Sequence, residues 1–230
     1  MRSIYAALGA MILAVPSLAP AGPYVGLGIG GARTASSLTK LNLFPALQVP
    51  GPVPPGGLIT EYDGGENFSS SGVTFDVAAG WTFGRYIGVE VGYADFGKAT
   101  QLYRLPDACD NRGCQSREWT AQAKLAGYRA FLIGTLPLAE HVEAYAKVGA
   151  IYWDGNYDGF ERNAAFTPGP PIAPRNEPVT FKDDGTDLAA GIGLNLKLDA
   201  PVSLRVDFTY YDMDTVDFVW TAGLTALYHF

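Results

Sequence analysis

Apolar and polar residues alternate over several stretches of this chain, most clearly at its carboxyl-terminal end. Every second residue from 218 to 230 is apolar: Phe218, Trp220, Ala222, Leu224, Ala226, Tyr228 and Phe230. A period of two is typical of a β-strand with two different faces. The apolar face has aromatic rings at its two ends and aliphatic side chains between them, which suits a strand that faces lipid. An edge strand of a soluble β-sandwich would alternate in the same way. The rest of the chain must therefore decide between a membrane barrel and a soluble sandwich.

The same period predicts eight strands in all. They cover residues 24–33, 73–83, 86–96, a fourth strand that starts near 119, then 142–153, 187–198, 202–210 and 218–230. Strands of ten to twelve residues are long enough to cross a bilayer at a tilt. No run after the amino terminus approaches the roughly 18 apolar residues of a membrane helix. The pattern therefore favours a membrane-spanning β-barrel over a helical membrane protein.

Long and short connections alternate for most of the chain. The predicted long connections are 34–71, 97–117 and 155–184, and the predicted short ones are 84–85, 136–141 and 199–201. Only the link after the seventh strand, near Asp214, is short where a longer loop is expected. In bacterial membrane barrels the short turns are periplasmic and the long loops extracellular. Both ends of the barrel chain then lie on the periplasmic side.

Composition agrees with a barrel whose strands have one polar face. Charged residues make up 17% of the chain, aromatic residues 13%, and there are 28 glycines. Half of the strand residues of a membrane barrel face a polar interior, so its hydrophobicity is spread thinly over alternating segments. The formal net charge of −7 argues against nucleic acid as a partner, since that would favour a basic surface.

The first 21 residues have the pattern of a secretory signal peptide. Arg2 supplies the positive start, residues 4–15 form a short uncharged apolar run, and Ala19-Pro20-Ala21 fits the small-residue cleavage pattern. We therefore expect a signal peptide over residues 1–21 and a barrel domain over residues 22–230.

The amphipathic last strand, ending on an aromatic residue, resembles the assembly signal of Gram-negative outer-membrane β-barrels. Trp220, Leu224, Tyr228 and Phe230 carry this resemblance. The arrangement of strands and connections resembles the OmpA-like family over nearly all of the predicted mature chain. The resemblance implies an all-β protein, an eight-stranded antiparallel up-and-down transmembrane β-barrel in the bacterial cell outer membrane. The partners it implies are outer-membrane lipids, lipopolysaccharide and the barrel assembly machinery.

The inward faces of the predicted strands collect charged residues of both signs. They are Asp76, Glu90, Lys124, Glu143, Lys147, Asp187, Lys197, Arg205 and Asp207. The interior of an eight-stranded barrel is just wide enough for side chains to fill. Since buried charges must be paired, we expect an interior ionic network as its filling. A gated narrow passage is the alternative.

The basic residues Arg129 and Lys147 lie on neighbouring predicted strands, the fourth and the fifth. Lys147 resembles the inward basic residue in the salt-bridge network of OmpA-like barrels, with lysine in place of arginine. Arg129 is ambiguous: if Ala121, Ala123 and Leu125 face lipid, the same phase puts Arg129 on the lipid face, at a cost of about 2–4 kcal/mol. A bulge near Gly127 would turn it inward. The sequence leaves both orientations open.

The two cysteines of the chain, Cys109 and Cys114, fall in the second long connection. A secreted protein passes through an oxidising compartment, so we expect a disulfide between them that stiffens the loop tip. Metal ligation, which lacks further ligands, and free thiols are the alternatives. A ring this short constrains the unfolded chain little, so the expected gain is at most about 2 kcal/mol.

We expect no enzyme and no cofactor. The only histidines, His141 and His229, are predicted at the periplasmic end with no nucleophile beside them in the sequence, and no zinc-type spacing occurs. The expected function is a small barrel with a structural role in envelope integrity and with surface-exposed loops. These loops are expected to take part in surface recognition of an unknown extracellular ligand. The alternative function is a narrow gated pore for small solutes.

Overall fold

Eight antiparallel strands form one closed barrel in the computed structural model of the chain. The structure describes residues 22–37, 67–110, 113–165, 178–198, 201–214 and 216–230. Each strand pairs with the next along the chain, and β1 pairs with β8 to close the barrel. The predicted all-β, eight-stranded up-and-down barrel is confirmed. The predicted signal peptide, residues 1–21, lies outside the described residues.

The strands are longer than the alternation predicted. They are β1 (Gly22–Ser37), β2 (Asn67–Phe83), β3 (Ile87–Asp110), β4 (Gly113–Pro137), β5 (Val142–Ala165), β6 (Val179–Lys197), β7 (Val202–Asp212) and β8 (Phe218–His229). A strand needs only about 9–11 residues to cross a bilayer. With 24 to 25 residues each, β3, β4 and β5 extend far beyond the membrane. Much of the two long connections predicted at 97–117 and 155–184 is therefore paired β-structure.

The turns that join β2 to β3, β4 to β5 and β6 to β7 lie at one end of the barrel, which we call the periplasmic end. The extended ends of β3, β4 and β5 lie at the opposite, extracellular end. Within the described residues, no helix is long and apolar enough to cross a membrane.

The outer face of the barrel carries exposed apolar side chains on every strand. Exposed apolar side chains on it include Leu27, Phe75, Val91, Leu132, Val148, Ile192, Val206 and Leu224. Exposure of this many large apolar groups is costly in water and is the normal condition of a lipid-facing surface. The alternation thus separates a lipid face from an interior face, as predicted, on seven of the eight strands.

Strand β4 is the exception, because its predicted phase was wrong. Ala121, Ala123 and Leu125 are buried and face the interior, while Lys124 is exposed on the outer face. Lys124 therefore does not belong to the interior ionic network. The interior phase continues without a break to Arg129, which is buried inside the barrel. No bulge near Gly127 is needed to place it there.

The bulge lies instead on the neighbouring strand, β3. Asp95 pairs with Ala126 and Lys98 pairs with Lys124, so three steps on β3 match two on β4. Gly97 occupies the bulge with a φ of 74°, a conformation that L side chains rarely adopt. Its N–H donates to Asp95 Oδ1 at 2.8 Å. The extra residue changes the phase of β3, so Lys98 lies on the outer face.

Gly97→Ala is expected to lower the free energy of unfolding by about 2 kcal/mol and to loosen the extracellular extension. A Cβ at Gly97 would collide with the carbonyl oxygen of Val73, in addition to the strain of positive φ. Thermal unfolding in detergent and limited proteolysis measure the two effects. Gly84→Ala is the matched control, since Gly84 has a φ of 70° and open space around it. An equal loss in both variants would show that the contact with Val73 does not matter.

The predicted disulfide partners, Cys109 and Cys114, lie on paired strands rather than in a loop. Their Cα atoms are direct partners in the β3–β4 register. Opposed residues of an antiparallel pair have Cα atoms about 4.5–5.5 Å apart, which a disulfide can span. Their side chains lie outside the described residues, so the bond itself stays a prediction. Alkylation without reduction, followed by mass analysis, is expected to leave both cysteines unlabelled; two labelled cysteines would contradict it.

Candidate functional site

Three acidic and three basic side chains meet at mid-height in the barrel interior. They are Asp76, Glu90, Arg129, Lys147, Arg205 and Asp207, which we call the central network. They come from β2, β3, β4, β5 and β7, so only closure of the barrel brings them together. Their formal charges cancel, as buried charges require.

Glu90 is the most connected member of the central network. Its carboxylate accepts a hydrogen bond from Arg205 Nη1 at 2.5 Å and another from the Tyr24 hydroxyl at 2.9 Å, both on Oε2. Arg129 Nη2 lies 4.0 Å from Oε1. Since Glu90 is only 2% exposed, these partners replace the water that the carboxylate would otherwise bind.

Arg129 and Lys147 complete the ionic contacts. Arg129 Nη2 lies 3.1 Å from Asp76 Oδ1, and its Nη1 donates to the Tyr211 hydroxyl at 3.3 Å. Lys147 forms a close ion pair with Asp207. Arg129 is thus a network member that the sequence left unassigned, and β4 had to be placed in register before its orientation was decided.

Aromatic rings pack against the cations of the network. The Arg205 guanidinium lies 4.7 Å from the Tyr145 ring centroid and 5.5 Å from that of Tyr24. Lys147 Nζ lies 5.0 Å from the Phe131 ring centroid. Contacts of this kind favour a cation over a ring face and occupy space that water would fill. These contacts connect the central network to aromatic side chains of the barrel strands.

Two further predicted residues form a separate pair nearer the periplasmic end. Lys197 Nζ lies 2.5 Å from Glu143 Oε1, and Asn195 donates to Glu143 Oε2 at 3.3 Å. Asp187 lies on the other side of the network, where it accepts a hydrogen bond from Trp153 Nε1 at 2.6 Å. Apart from Lys124, which lies on the outer face, the predicted interior residues therefore fall into a central network, a periplasmic pair and one aromatic-bonded carboxylate.

Above the network, towards the extracellular end, the interior is filled by large side chains. We call this group the aromatic plug: Trp119, Leu125, Ile151, Trp153, Tyr157 and Tyr211. All six are fully buried, and Tyr211 packs edge-on against Phe96 at 5.0 Å between ring centroids. Burial raises the pKa of the Tyr157 hydroxyl, and the Asp183 carboxylate acts in the same direction.

Below the network, the interior opens to the periplasmic end as a cavity of about 220 Å³. Tyr145, Asn195, Ser203 and Arg205 line it. Ser203 Oγ lies 2.9 Å from His229 Nε2, a contact between β7 and β8 that the sequence analysis missed because 26 residues separate the two. Nucleophilic catalysis also needs a group that orients the base, and the described contacts of His229 provide none. In the described part of the chain, no cluster of three metal-binding side chains occurs.

The residues of the predicted assembly signal lie on the outer face of β8 and just after it. Leu224, Tyr228 and Phe230 are exposed, and the Tyr228 and Phe230 rings pack edge-on at 5.2 Å between centroids. Trp220 is partly buried and lies 5.5 Å from the Phe208 ring. The Phe230 N–H donates to the carbonyl of Pro23 at 3.1 Å, which extends the β1–β8 junction to the end of the chain.

Several solved structures are similar to this chain at low sequence identity. Neisserial surface protein A is 13% identical over 92% of this chain and 100% of its own, with a TM-score of 0.48. OprG of Pseudomonas aeruginosa is 12% identical over 91% and 97%, with a TM-score of 0.47. Ail, the attachment invasion locus protein of Yersinia pestis, is 15% identical over 91% and 99%, with a TM-score of 0.44. No curated protein matches the sequence.

A family model supplies the assignment that these distant similarities do not. The model for the outer membrane protein beta-barrel domain matches residues 3–230. This match agrees with the closed barrel, its apolar outer face and its charged interior. This chain therefore belongs to the outer membrane protein beta-barrel family and is a small β-barrel of the bacterial outer membrane.

Proposed function

We propose that this protein is a closed structural barrel that contributes to envelope integrity and carries a rigid β-structured extension outside the cell. The observation that carries the proposal is the filled interior. The aromatic plug lies directly above the central network, and Arg129 bonds to both through Asp76 and Tyr211. A passage would have to break buried ion pairs and displace fully buried rings at the same time, and both changes are costly.

The extracellular extension supports the second half of the proposal. Strands β3, β4 and β5 remain paired well beyond the length that a bilayer requires. Paired strands hold their side chains in a fixed arrangement, which favours recognition of an extracellular ligand over a purely space-filling role. The ligand of the surface loops is unknown, and the barrel assembly machinery is the proposed partner during insertion.

Planar-bilayer recording of the refolded protein tests the closed interior. We expect no steady current above that of the lipid alone, because a passage would have to cross the buried ion pairs of the central network and the fully buried side chains of the aromatic plug. The contrary result is a steady unitary current that disappears in Lys147→Met or Glu143→Gln. It would establish the gated pore instead.

The envelope role is tested in cells by deleting the gene and measuring sensitivity to detergent and to large antibiotics. We expect increased sensitivity that the wild-type gene reverses. Complementation by Gly97→Ala, the variant expected to have a loosened extracellular extension, separates the two parts of the proposal. Full reversal by this variant assigns the envelope role to the transmembrane barrel, whereas unchanged sensitivity in the deletion strain contradicts that role.

A further inference from the structure

The part of the interior below the central network is closed at one end and open at the other. Arg205 forms the closed end, where its Nη1 atom donates to Glu90 in the central network. Residues at the periplasmic turns, including Gly84, Arg85 and Pro201, form the open end. We call this cavity of about 220 Å³ the periplasmic vestibule. Because buried ion pairs lie behind Arg205, a molecule enters the vestibule from the periplasm and goes no further.

The wall of the periplasmic vestibule includes several uncharged polar side chains. Thr82, Thr135 and Ser203 contribute hydroxyl groups, and Asn195 contributes an amide. A hydroxyl group both donates and accepts hydrogen bonds, so this wall can adapt to a ligand that does the same. A hydrocarbon chain would leave these groups unpaired, which is costly in a buried place. The vestibule therefore suits a small polar molecule rather than a lipid tail.

Two side chains that line the vestibule each have a polar atom without a hydrogen-bond partner in the described part of the chain. They are Arg205 Nε, which can only donate, and Asn195 Oδ1, which can only accept. Both side chains belong to residues that are buried, with 7% and 9% of their surface exposed. Buried polar groups are normally paired, so each unpaired one requires an explanation. One molecule that offers an acceptor and a donor would supply both missing partners.

The charges around the vestibule favour an anion as the acceptor. Arg205 is paired with Glu90, and Lys197 is paired with Glu143. Arg85, exposed at the open end, has no ion-pair partner among the described residues, so one positive charge is in excess. The Glu143 carboxylate is already occupied, which leaves no free carboxylate in the lining for a cationic group. A hydroxyl group is therefore the donor that suits Asn195, and a carboxylate is the acceptor that suits Arg205.

We propose that the periplasmic vestibule binds a small hydroxycarboxylate from the periplasm. Its carboxylate accepts from Arg205 Nε, one of its hydroxyl groups donates to Asn195 Oδ1, and the remaining hydroxyl groups meet the threonine and serine side chains of the wall. Drug-sized ligands occupy about 300–1,000 Å³, so this cavity suits a smaller molecule, on the order of ten non-hydrogen atoms. The inference goes beyond the proposed function and does not rest on it, because a dead-end site requires no passage through the barrel.

Titration calorimetry of the refolded barrel in detergent with matched small molecules tests the ligand chemistry. The probe is L-threonate, a small acid with a hydroxyl group on each of its other carbons. Butyrate keeps the carboxylate and the chain length but lacks the hydroxyl groups, whereas threitol keeps the hydroxyl groups but lacks the carboxylate. We expect threonate to bind at least about tenfold more tightly than either, because each comparison molecule leaves one buried polar atom of the site unpaired.

Variants of the wall locate the binding site. Arg205→Lys keeps a cation beside Glu90 but removes the Nε–H donor, and Asn195→Ala removes the unpaired oxygen. Thr135→Leu puts a larger apolar side chain into the vestibule without removing either group. Each is expected to weaken threonate binding at least about fivefold. Lys182→Gln, which removes an exposed lysine on the extracellular extension, is the control and is expected to change nothing.

Thermal unfolding of each variant shows which of them are folded, and Asn195→Ala and Thr135→Leu still decide the question if Arg205→Lys does not fold. No measurable binding of threonate overturns the proposal, and so does equal binding of threonate, butyrate and threitol. Threonate binding that the folded wall variants leave unchanged would place the site elsewhere on the protein and also overturns it. Tighter binding of L-threonine than of threonate would contradict the choice of a hydroxyl over an ammonium donor. These outcomes are distinct from the current and sensitivity measurements that test the proposed function.

Discussion

Glu90→Gln is expected to lower the free energy of unfolding by about 3 kcal/mol, the largest effect of any single conservative change in the interior. The substitution keeps the size of the side chain and removes its charge. Arg205, which is 7% exposed, then loses the carboxylate that lies 2.5 Å from its Nη1 atom. Arg129 keeps Asp76 but loses its second acidic neighbour. An uncompensated cation is thereby left inside the barrel.

Denaturant titration of the folded barrel, followed by tryptophan fluorescence, measures this loss. The double variant E90Q/R205M is expected to recover most of it, because Asp76, Asp207, Arg129 and Lys147 remain as a neutral set. Glu140→Gln, at an exposed position in a periplasmic turn, is the control for loss of one carboxylate. An equal effect of the Glu90 and Glu140 variants would contradict the role of the central network.

Phe230→Ala is expected to reduce insertion into the outer membrane severalfold while changing the stability of the finished barrel by only about 0.5 kcal/mol. The Phe230 side chain is 75% exposed, so the folded barrel gains little from it. The backbone bond to Pro23 survives the substitution. A large effect in cells together with a small effect in vitro would assign the side chain to recognition by the assembly machinery.

Phe83→Ala provides the matched comparison. Phe83 is also an exposed aromatic residue at the periplasmic end of the lipid face, at the end of β2. It shares the interfacial environment of Phe230 but not its place in the terminal strand. Membrane fractionation of cells that express each variant measures how much of each protein is inserted into the outer membrane. Equal insertion of the two variants would argue against a terminal assembly signal.

The alternation of the sequence determined the number of strands and, for seven of them, the face that meets lipid. This was possible because the two environments differ sharply in polarity. In β7, for example, Ser203, Arg205 and Asp207 alternate with apolar residues, and only one assignment avoids charge in the hydrocarbon. The terminal aromatic residue was likewise identified from the sequence, without the tertiary structure. These features depend on residue type and spacing alone.

The alternation did not decide which face of strand β4 meets lipid. Ala121, Ala123 and Leu125 are small or aliphatic, and they are as suitable inside a packed barrel as against lipid. These residues therefore do not decide the phase of the strand, and the prediction placed Lys124 inside whichever way Arg129 pointed. Pairing with β3 on one side and β5 on the other decided the phase, with the bulge at Gly97 taking up the mismatch.

The charged interior residues were mostly identifiable from the sequence, but their partners were not. Glu90 and Arg205 are 115 residues apart, and Lys147 and Asp207 are 60 apart. Period-two patterns report which way a side chain points, since this depends on the residue's own strand. Which side chains meet depends on strand register and on barrel closure, and these are properties of the tertiary structure.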